Sequence, residues 1–378
     1  MGIRRGYRAR PLELLAEWFI FGVSFSAMVL VFLIFVFVTR EALPVVFGQV
    51  NNAVRQPVIP VEQMDNLPHG QLGKYLGLDA RQLAQMDRET LKELMAVRVE
   101  AAQKVPDDKD SGINTLAWRQ MFLPHQWTGY ERPSYIWQPV SDIPKFNIIP
   151  LLVGSLKTTL VALMLAVPLA LAASLYVSQL ASNRLREWLK PAVELLAGIP
   201  SVVAGFFALI VMASFLKSVF GYESRLNAFV AGVALALAVV PVVFSIAEDA
   251  LTGVPRSYTQ AALALGSTRW QAAWKVVLPA ALPGVFAAVI LGFGRAVGET
   301  MIVLMASGNA SIMSWSLFDS TRTVTATVAA ELAETVFGGN HYRVLFLIGA
   351  LLLVATFITN LAGELIIHRL KKRLEGLA

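Results

Sequence analysis

Six stretches of this chain stay apolar for about 20 residues or more, at roughly 17–39, 149–178, 193–216, 227–247, 281–306 and 344–367. An α-helix rises about 1.5 Å per residue, so a run of about 20 crosses the ~30 Å hydrocarbon core of a bilayer. Repeated blocks of that length point to an all-α membrane protein with six transmembrane helices. The bulk composition agrees, with 56% hydrophobic and 15% charged residues in a chain of 378. The first block follows the basic stretch MGIRRGYRAR, yet it has the length of a span and lacks the small-residue cleavage site of a signal peptide. It reads as a retained anchor.

A net charge of +6 raises nucleic acid as a partner, and the placement of the charge argues against it. Arg4, Arg5, Arg8 and Arg10 precede the first span; Arg184, Arg186 and Lys190 follow the second; Arg256, Arg269 and Lys275 follow the fourth; Arg369, Lys371, Lys372 and Arg373 follow the sixth. If six helices alternate, all four groups lie on one side, which the positive-inside rule makes the cytoplasm. Both termini are then expected there. The absence of cysteine excludes disulfides and thiolate metal sites. His69, His125, His341 and His368 are scattered, so neither a metal site nor a cofactor is expected.

Three regions follow from this topology: a cytoplasmic N-terminus with the first span over 1–40, an extracytoplasmic polar region over 41–147, and a five-helix core over 148–378. The polar region reads as helix and loop. Asp79 with Gln82 forms a capping-box pattern. Asp87 is a second candidate cap, and Leu91, Leu94, Met95 and Val99 after it repeat at helical spacing, for packing or for a partner. FLPHQWTGYERPSYIWQPV, from Phe122, is rich in Trp, Tyr and Pro and reads as an extended segment at headgroup level. Pro168, Pro200, Pro241 and Pro283 interrupt apolar blocks, as kinked or broken helices in transporters allow.

The fifth block carries two charges, Arg295 and Glu299, in GRAVGETMIVLM. Counted along a helix from Pro283, Arg295 lies about 18 Å in and Glu299 about 6 Å further. At the centre of a span each charge costs about 2.5 to 3.5 kcal/mol, so neither is expected to face lipid. Two readings stand. The charges pair structurally four residues apart, although in the order Arg then Glu such a pair contributes only about 0.2 to 0.5 kcal/mol. Alternatively they mark a pathway, with the planar guanidinium serving an oxyanion. Ser201 and Thr300 either hydrogen-bond that substrate or cap a bent backbone. Gly294 and Gly298 read as a close helix crossing. Glu194, near the start of the third block, reads as a structural residue at a gate.

The loop after the fourth span, within 247–280, is more than a connector. Ala261, Ala262, Leu263 and Leu265 before Gly266, and Trp270, Ala273, Trp274 and Val277 after it, make two short amphipathic helices joined at a glycine. Their apolar ridge lies on lipid or under a partner. Gln260, Ala261, Ala262, Gly266, Val276, Leu278 and Pro279 resemble, in spacing, the EAA signature of ABC importer permeases, with Gln260 where that family has Glu. ELLAGIPSVVAGFFAL from Glu194, EDALTGVP from Glu248, GRAVGETMIVLMASGN from Gly294 and TVAAELAE before the last span are similar to the permeases of phosphate-specific ABC systems, the C-type subunit in particular. The resemblance is loose over 1–40 and good from about 115 to 375, with much of 45–112 standing as an insertion.

That resemblance implies a type I ABC importer permease fold in a bacterial inner membrane. It implies a second homologous permease, two cytoplasmic ATP-binding subunits docked on Gln260, Ala261, Ala262, Gly266, Leu278 and Pro279, and an extracytoplasmic phosphate-binding protein. Arg295, Glu299, Thr300 and Ser201 become candidates for the phosphate path. Phosphate at neutral pH carries a proton, so an ionised Glu299 can accept a hydrogen bond from it, whereas sulfate has none to offer. No GxxxxGK followed by Ser or Thr occurs in the chain, so ATP hydrolysis is expected of the partners. Two alternatives remain at this point: a permease for another oxyanion or a phosphonate, and a membrane scaffold that reports phosphate status to a sensor kinase.

Overall fold

The computed structural model describes residues 11–52, 86–104, 110 and 112–375. The capping box expected at Asp79 lies outside them. Helix α1 spans Pro11–Val46, and α2, Arg88–Lys104, follows Asp87, whose Oδ1 accepts the Arg88 amide at 2.7 Å. Of the expected stripe, Leu91 and Met95 are buried one turn apart on α2 and Leu94 is exposed, while the side chain of Val99 lies outside the described residues. A short helix α3, Trp118–Phe122, leads to a hairpin of β1, Trp137–Gln138, and β2, Lys145–Phe146.

The remaining elements are helical. They are α4 (Ile149–Leu175) with a π turn over Tyr176–Leu180, α5 (Asn183–Ala197), α6 (Ser201–Phe207), α7 (Ala213–Phe220) and α8 (Ala228–Thr252). Then come α9 (Arg256–Ala264), α10 (Arg269–Ala272), α11 (Leu278–Ala280), α12 (Leu282–Gly298), α13 (Met301–Ala306), α14 (Val324–Glu331) and α15 (Asn340–Glu375).

Among the described residues, five helical stretches are long and apolar enough to cross a bilayer: Glu17–Val46, Ile149–Leu180, Ser201–Phe220, Ala228–Thr252 and Asn340–Leu370. A sixth forms if Arg269–Ala280 and Leu282–Gly298, bent by 73°, count as one span. The all-α, six-span expectation therefore holds, with two boundaries corrected. The third span starts at Ser201, and the residues from Asn183 to Ala197 form a separate amphipathic helix without a fully buried side chain. Pro200 explains the break, because a residue before proline is pushed out of the helical region. Glu194 thus lies on α5. The fifth span ends at Gly298, since Glu299 is extended at φ −70°, ψ 133°, and the chain re-enters helix only at Met301.

The core sits between α4 and α8 and is built of small residues. Ala162, Ala166 and Ala170 on α4, with Ala231 and Ala234 on α8, are fully or almost fully buried. A Cβ on Gly232 would lie 2.5 Å from Val161, so the two helices are as close as backbones allow there. Lys157 is buried on α4 and donates from Nζ to the Ser316 carbonyl at 2.9 Å, which satisfies a cation otherwise costly at that place.

A second cluster joins the end of α1 to the β-hairpin, α14 and the start of α15. The aromatic segment was expected at headgroup level, yet Trp127 and Trp137 are only 3% exposed. Trp137 folds inward because its indole N–H meets a carboxylate: Nε1 lies 3.1 and 3.2 Å from the two oxygens of Glu331. Arg322 and His341 complete the shell of Glu331, His341 Nε2 at 2.8 Å.

Candidate functional site

Arg295 stands in the last turn of α12, which crosses α15 antiparallel. The register is set by small residues: a Cβ on Gly363 would lie 2.4 Å from Ile290 Cδ1, and one on Gly294 would lie 3.7 Å from Asn360 Oδ1. The tightest approach is thus at Gly363, whereas a Cβ on Gly298 or Gly349 would meet nothing within 4 Å. The helices part there, leaving a groove of about 500 Å³ whose wall includes Gly294, Arg295 and Gly298 from α12 and Gly349, Thr356 and Asn360 from α15.

Arg295, Thr356 and Asn360 supply the polar side chains of this groove. The guanidinium is exposed, and no ion pair joins Arg295 to a carboxylate among the described residues. Thr356 directs its hydroxyl hydrogen to the Leu353 carbonyl at 3.0 Å, leaving oxygen lone pairs, and Asn360 offers amide donors. A planar cation beside an amide suits an oxyanion. Thr356 and Asn360 were not singled out from the sequence. Their four-residue spacing is a weak signal, and only the register against Gly294 brings them to Arg295.

Glu299, Thr300 and Ser201 do not line this groove. Because α12 stops at Gly298, Glu299 is not four residues along a helix face from Arg295, and the expected pairing geometry is absent. Glu299 Oε1 instead accepts the Thr300 amide at 3.2 Å, and its carbonyl accepts the Thr325 hydroxyl at 2.9 Å. Thr300 Oγ1 donates to the Gly298 carbonyl at 3.3 Å, so the hydroxyl caps the break. Ser201 opens α6, which packs on α13: a Cβ on Gly205 would lie 2.9 Å from Met305 Sδ and 3.0 Å from the Met301 carbonyl.

The segment from Arg256 to Ala280 forms a second candidate site. As expected, its two helices meet at Gly266, whose φ of +85° is a left-handed value that glycine adopts without strain. Thr268 and Gln271 form a reciprocal capping box that starts α10. One side is anchored: Ala273, Val277 and Ala281 pack with Leu175 and Leu251. The opposite side is bare. Gln260, Ala261 and Pro279 are exposed, Leu278 is half-buried and Ala262 is buried. Tyr258, Leu263, Trp270 and Trp274 are each at least 40% exposed and Leu265 reaches 88%, with the two indoles stacked at 6.1 Å. Such exposed apolar side chains, the two indoles stacked among them, are a candidate interaction face.

A buried carboxylate outside both sites went unassigned in the sequence. Glu248, near the end of α8, accepts from Arg186 and from Lys190 Nζ at 2.7 Å, both on α5. The hydrogen bond to Glu248 raises the Lys190 pKa above its ordinary value. Arg186 and Lys190 lie four residues apart, a spacing that places both on one helix face.

A family model described as binding-protein-dependent transport system inner membrane component matches residues 166–375. The chain is 35% identical over 223 residues to the probable ABC transporter permease protein YqgH of Bacillus subtilis, covering 59% of this chain and 72% of that one. It is 34% identical over 256 residues to the phosphate transport system permease protein PstC of Mesorhizobium japonicum, covering 63% and 77%. A solved inward-facing structure of the MetNI methionine ABC transporter aligns with 59% of this chain and 94% of its own, at 20% identity and a TM-score of 0.45.

Proposed function

The chain belongs to the binding-protein-dependent transport system inner membrane components, and from that premise we propose that it is the transmembrane permease subunit of an ATP-driven importer of inorganic phosphate. Relatives at about a third identity are named as phosphate transport permeases, which supports the substrate. The observation that carries the reading is Arg295, an exposed guanidinium in the last turn of the apolar helix α12, with no carboxylate ion pair among the described residues, facing a groove that also holds Asn360. A cation set among apolar residues of a membrane helix is a functional-site feature, and an anion suits it.

In this reading the groove opens toward a second homologous permease, and phosphate passes between the two. Arg295 and Asn360 donate to its oxygens while Glu299, at the helix break, accepts a hydrogen bond from the P–O–H group that phosphate carries and sulfate lacks. Glu299 neutralises Arg295 only in a state where helix re-forms through Glu299. The basic loops face the cytoplasm, as do both termini. Two ATP-binding subunits there cover the exposed ridge of Tyr258, Leu265, Trp270 and Trp274, with Gln260, Ala261, Ala262, Gly266, Leu278 and Pro279 shaping the contact. An extracytoplasmic phosphate-binding protein delivers the anion from the other face. Energy comes from the ATP-binding subunits, and this chain transmits it.

The test is uptake of radiolabelled phosphate and phosphate-stimulated ATP hydrolysis in proteoliposomes holding the full complex. Arg295→Gln is expected to abolish uptake while the complex still assembles, and Glu299→Gln to let sulfate compete. Normal uptake by both variants would refute the assignment of the groove.

A further inference from the structure

Glu248 is fully buried, yet its carboxylate is held by side chains of a helix that lies outside the bundle. Arg186 and Lys190 reach it from α5, and Thr252, one turn further along α8, donates to it at 2.9 Å. Lys190 also contacts the exposed Asp249 at 3.0 Å, so two cations face two carboxylates. α5 has no fully buried side chain of its own, and only Leu189 and Val193 add partly buried apolar contact with the core. The ionic cluster is therefore the specific attachment of α5 to α8. A sealed carboxylate with two cations keeps its partners through a conformational change, because separation would leave a charge buried without compensation.

What adjoins this attachment gives it a direction. Leu251, three residues after Glu248, packs with Ala273, Val277 and Ala281 of the segment that carries the exposed apolar ridge. Gln179, at the end of the second span, donates to the Leu251 carbonyl at 3.2 Å. The far end of α5 runs through Gly198 and Pro200 directly into α6, and α6 packs on α13, which follows the break after Arg295. Resting on the importer reading, we propose that Glu248 is a positioning residue of the transport cycle: it ties α5 to α8, so that movement of residues 256–280 is carried through α5 to the start of the third span and the break beside Arg295. Glu248 touches neither phosphate nor ATP. Its role is to make the segment and α5 one body.

The assembled complex in proteoliposomes tests this through the number of ATP molecules hydrolysed per phosphate imported. Glu248→Gln is expected to assemble and hydrolyse ATP at a near wild-type rate while that number rises about tenfold; Glu248→Asp, which keeps the charge, brings it back to within about threefold. A wild-type ratio in Glu248→Gln overturns the proposal. If Glu248→Gln fails to assemble, Lys190→Met decides, since Arg186 still holds the carboxylate: a raised ratio supports the link and a wild-type ratio overturns it. Nitroxides on Leu195→Cys and Arg256→Cys, both at exposed positions of a chain with no cysteine, give a readout independent of substrate. One narrow distance with and without ATP is expected, broadening on ATP addition in the charge-deficient variant. A distance in the otherwise unaltered complex that changes with ATP overturns the one-body link. Failure of the wild-type complex to import phosphate defeats the substrate reading alone, because the label distances still report on Glu248.

Discussion

Replacing Glu331 by Gln removes one charge without changing the shape of the side chain, and the structure sets what that costs. The carboxylate is 9% exposed and accepts from three donors: Trp137 Nε1 at 3.1 and 3.2 Å, Arg322, and His341 Nε2 at 2.8 Å. Both its oxygens are acceptors, whereas an amide keeps one acceptor and turns the other position into a donor facing donors. The variant therefore leaves at least one hydrogen unpaired and the Arg322 charge uncompensated at 20% side-chain exposure. Loss of one partner of a buried pair costs about 3 to 5 kcal/mol. At about 2 to 4 °C per kcal/mol for a unit of this size, the unfolding midpoint should fall by roughly 10 °C. Trp137→Phe removes only one bond to the carboxylate, so about 1.5 to 3 kcal/mol and a smaller shift are expected. The assay is a thermal scan of the purified complex followed by far-ultraviolet circular dichroism, which reads both variants alike. Midpoints within about 2 °C of wild type for both variants would refute the view that this carboxylate holds the polar segment to the bundle.

Three further outcomes are expected. Lys190 has its pKa raised above 10.5 by the hydrogen bond to Glu248, so its contribution to holding α5 is complete below that ordinary value and is lost as pH rises through the raised one; a nitroxide on Leu195→Cys should keep its mobility through neutrality and loosen only in strong alkali, and loosening near neutrality would contradict the assignment. Gly154→Ala would place a Cβ 2.1 Å from the Arg322 carbonyl and 2.7 Å from Thr321 Oγ1, so a loss of roughly 3 kcal/mol or more is expected, read as a drop in folded yield; Gly349→Ala, with nothing within 4 Å, should express normally. Asn360→Leu removes donors from the groove without breaking an internal bond. The half-saturating phosphate concentration for uptake should rise about tenfold, from the ~1.5 kcal/mol or more of a hydrogen bond to a charged group, and an unchanged value would remove Asn360 from the path.

Bilayer thickness and helical rise made the spans legible, because both are constants that the length of an apolar run measures directly. The turn at Gly266 was legible for a similar reason, since a left-handed residue between two helical patterns is a local matter. The start of the third span was misplaced by eight residues because the apolar residues of α5 extend the pattern into Ser201, and the proline that ends it was read as a kink. The break at Glu299 is also local, yet apolar periodicity continues on both sides and hides it.

Chain length in apolar blocks and the spacing of the segment after the fourth span are properties of neighbours in sequence, so the residues alone determined membrane class, span number and the two short helices that meet at Gly266. Tertiary structure decided which charges meet. Glu331 finds Trp137 across 194 residues, and Glu248 finds Arg186 across 62. Arg295 shares its groove with Asn360 instead of pairing with Glu299, because α12 ends at Gly298 and its glycines set the register against α15. Burial makes the two carboxylate contacts strong, and burial is a property of the packed helices that no single stretch of chain carries.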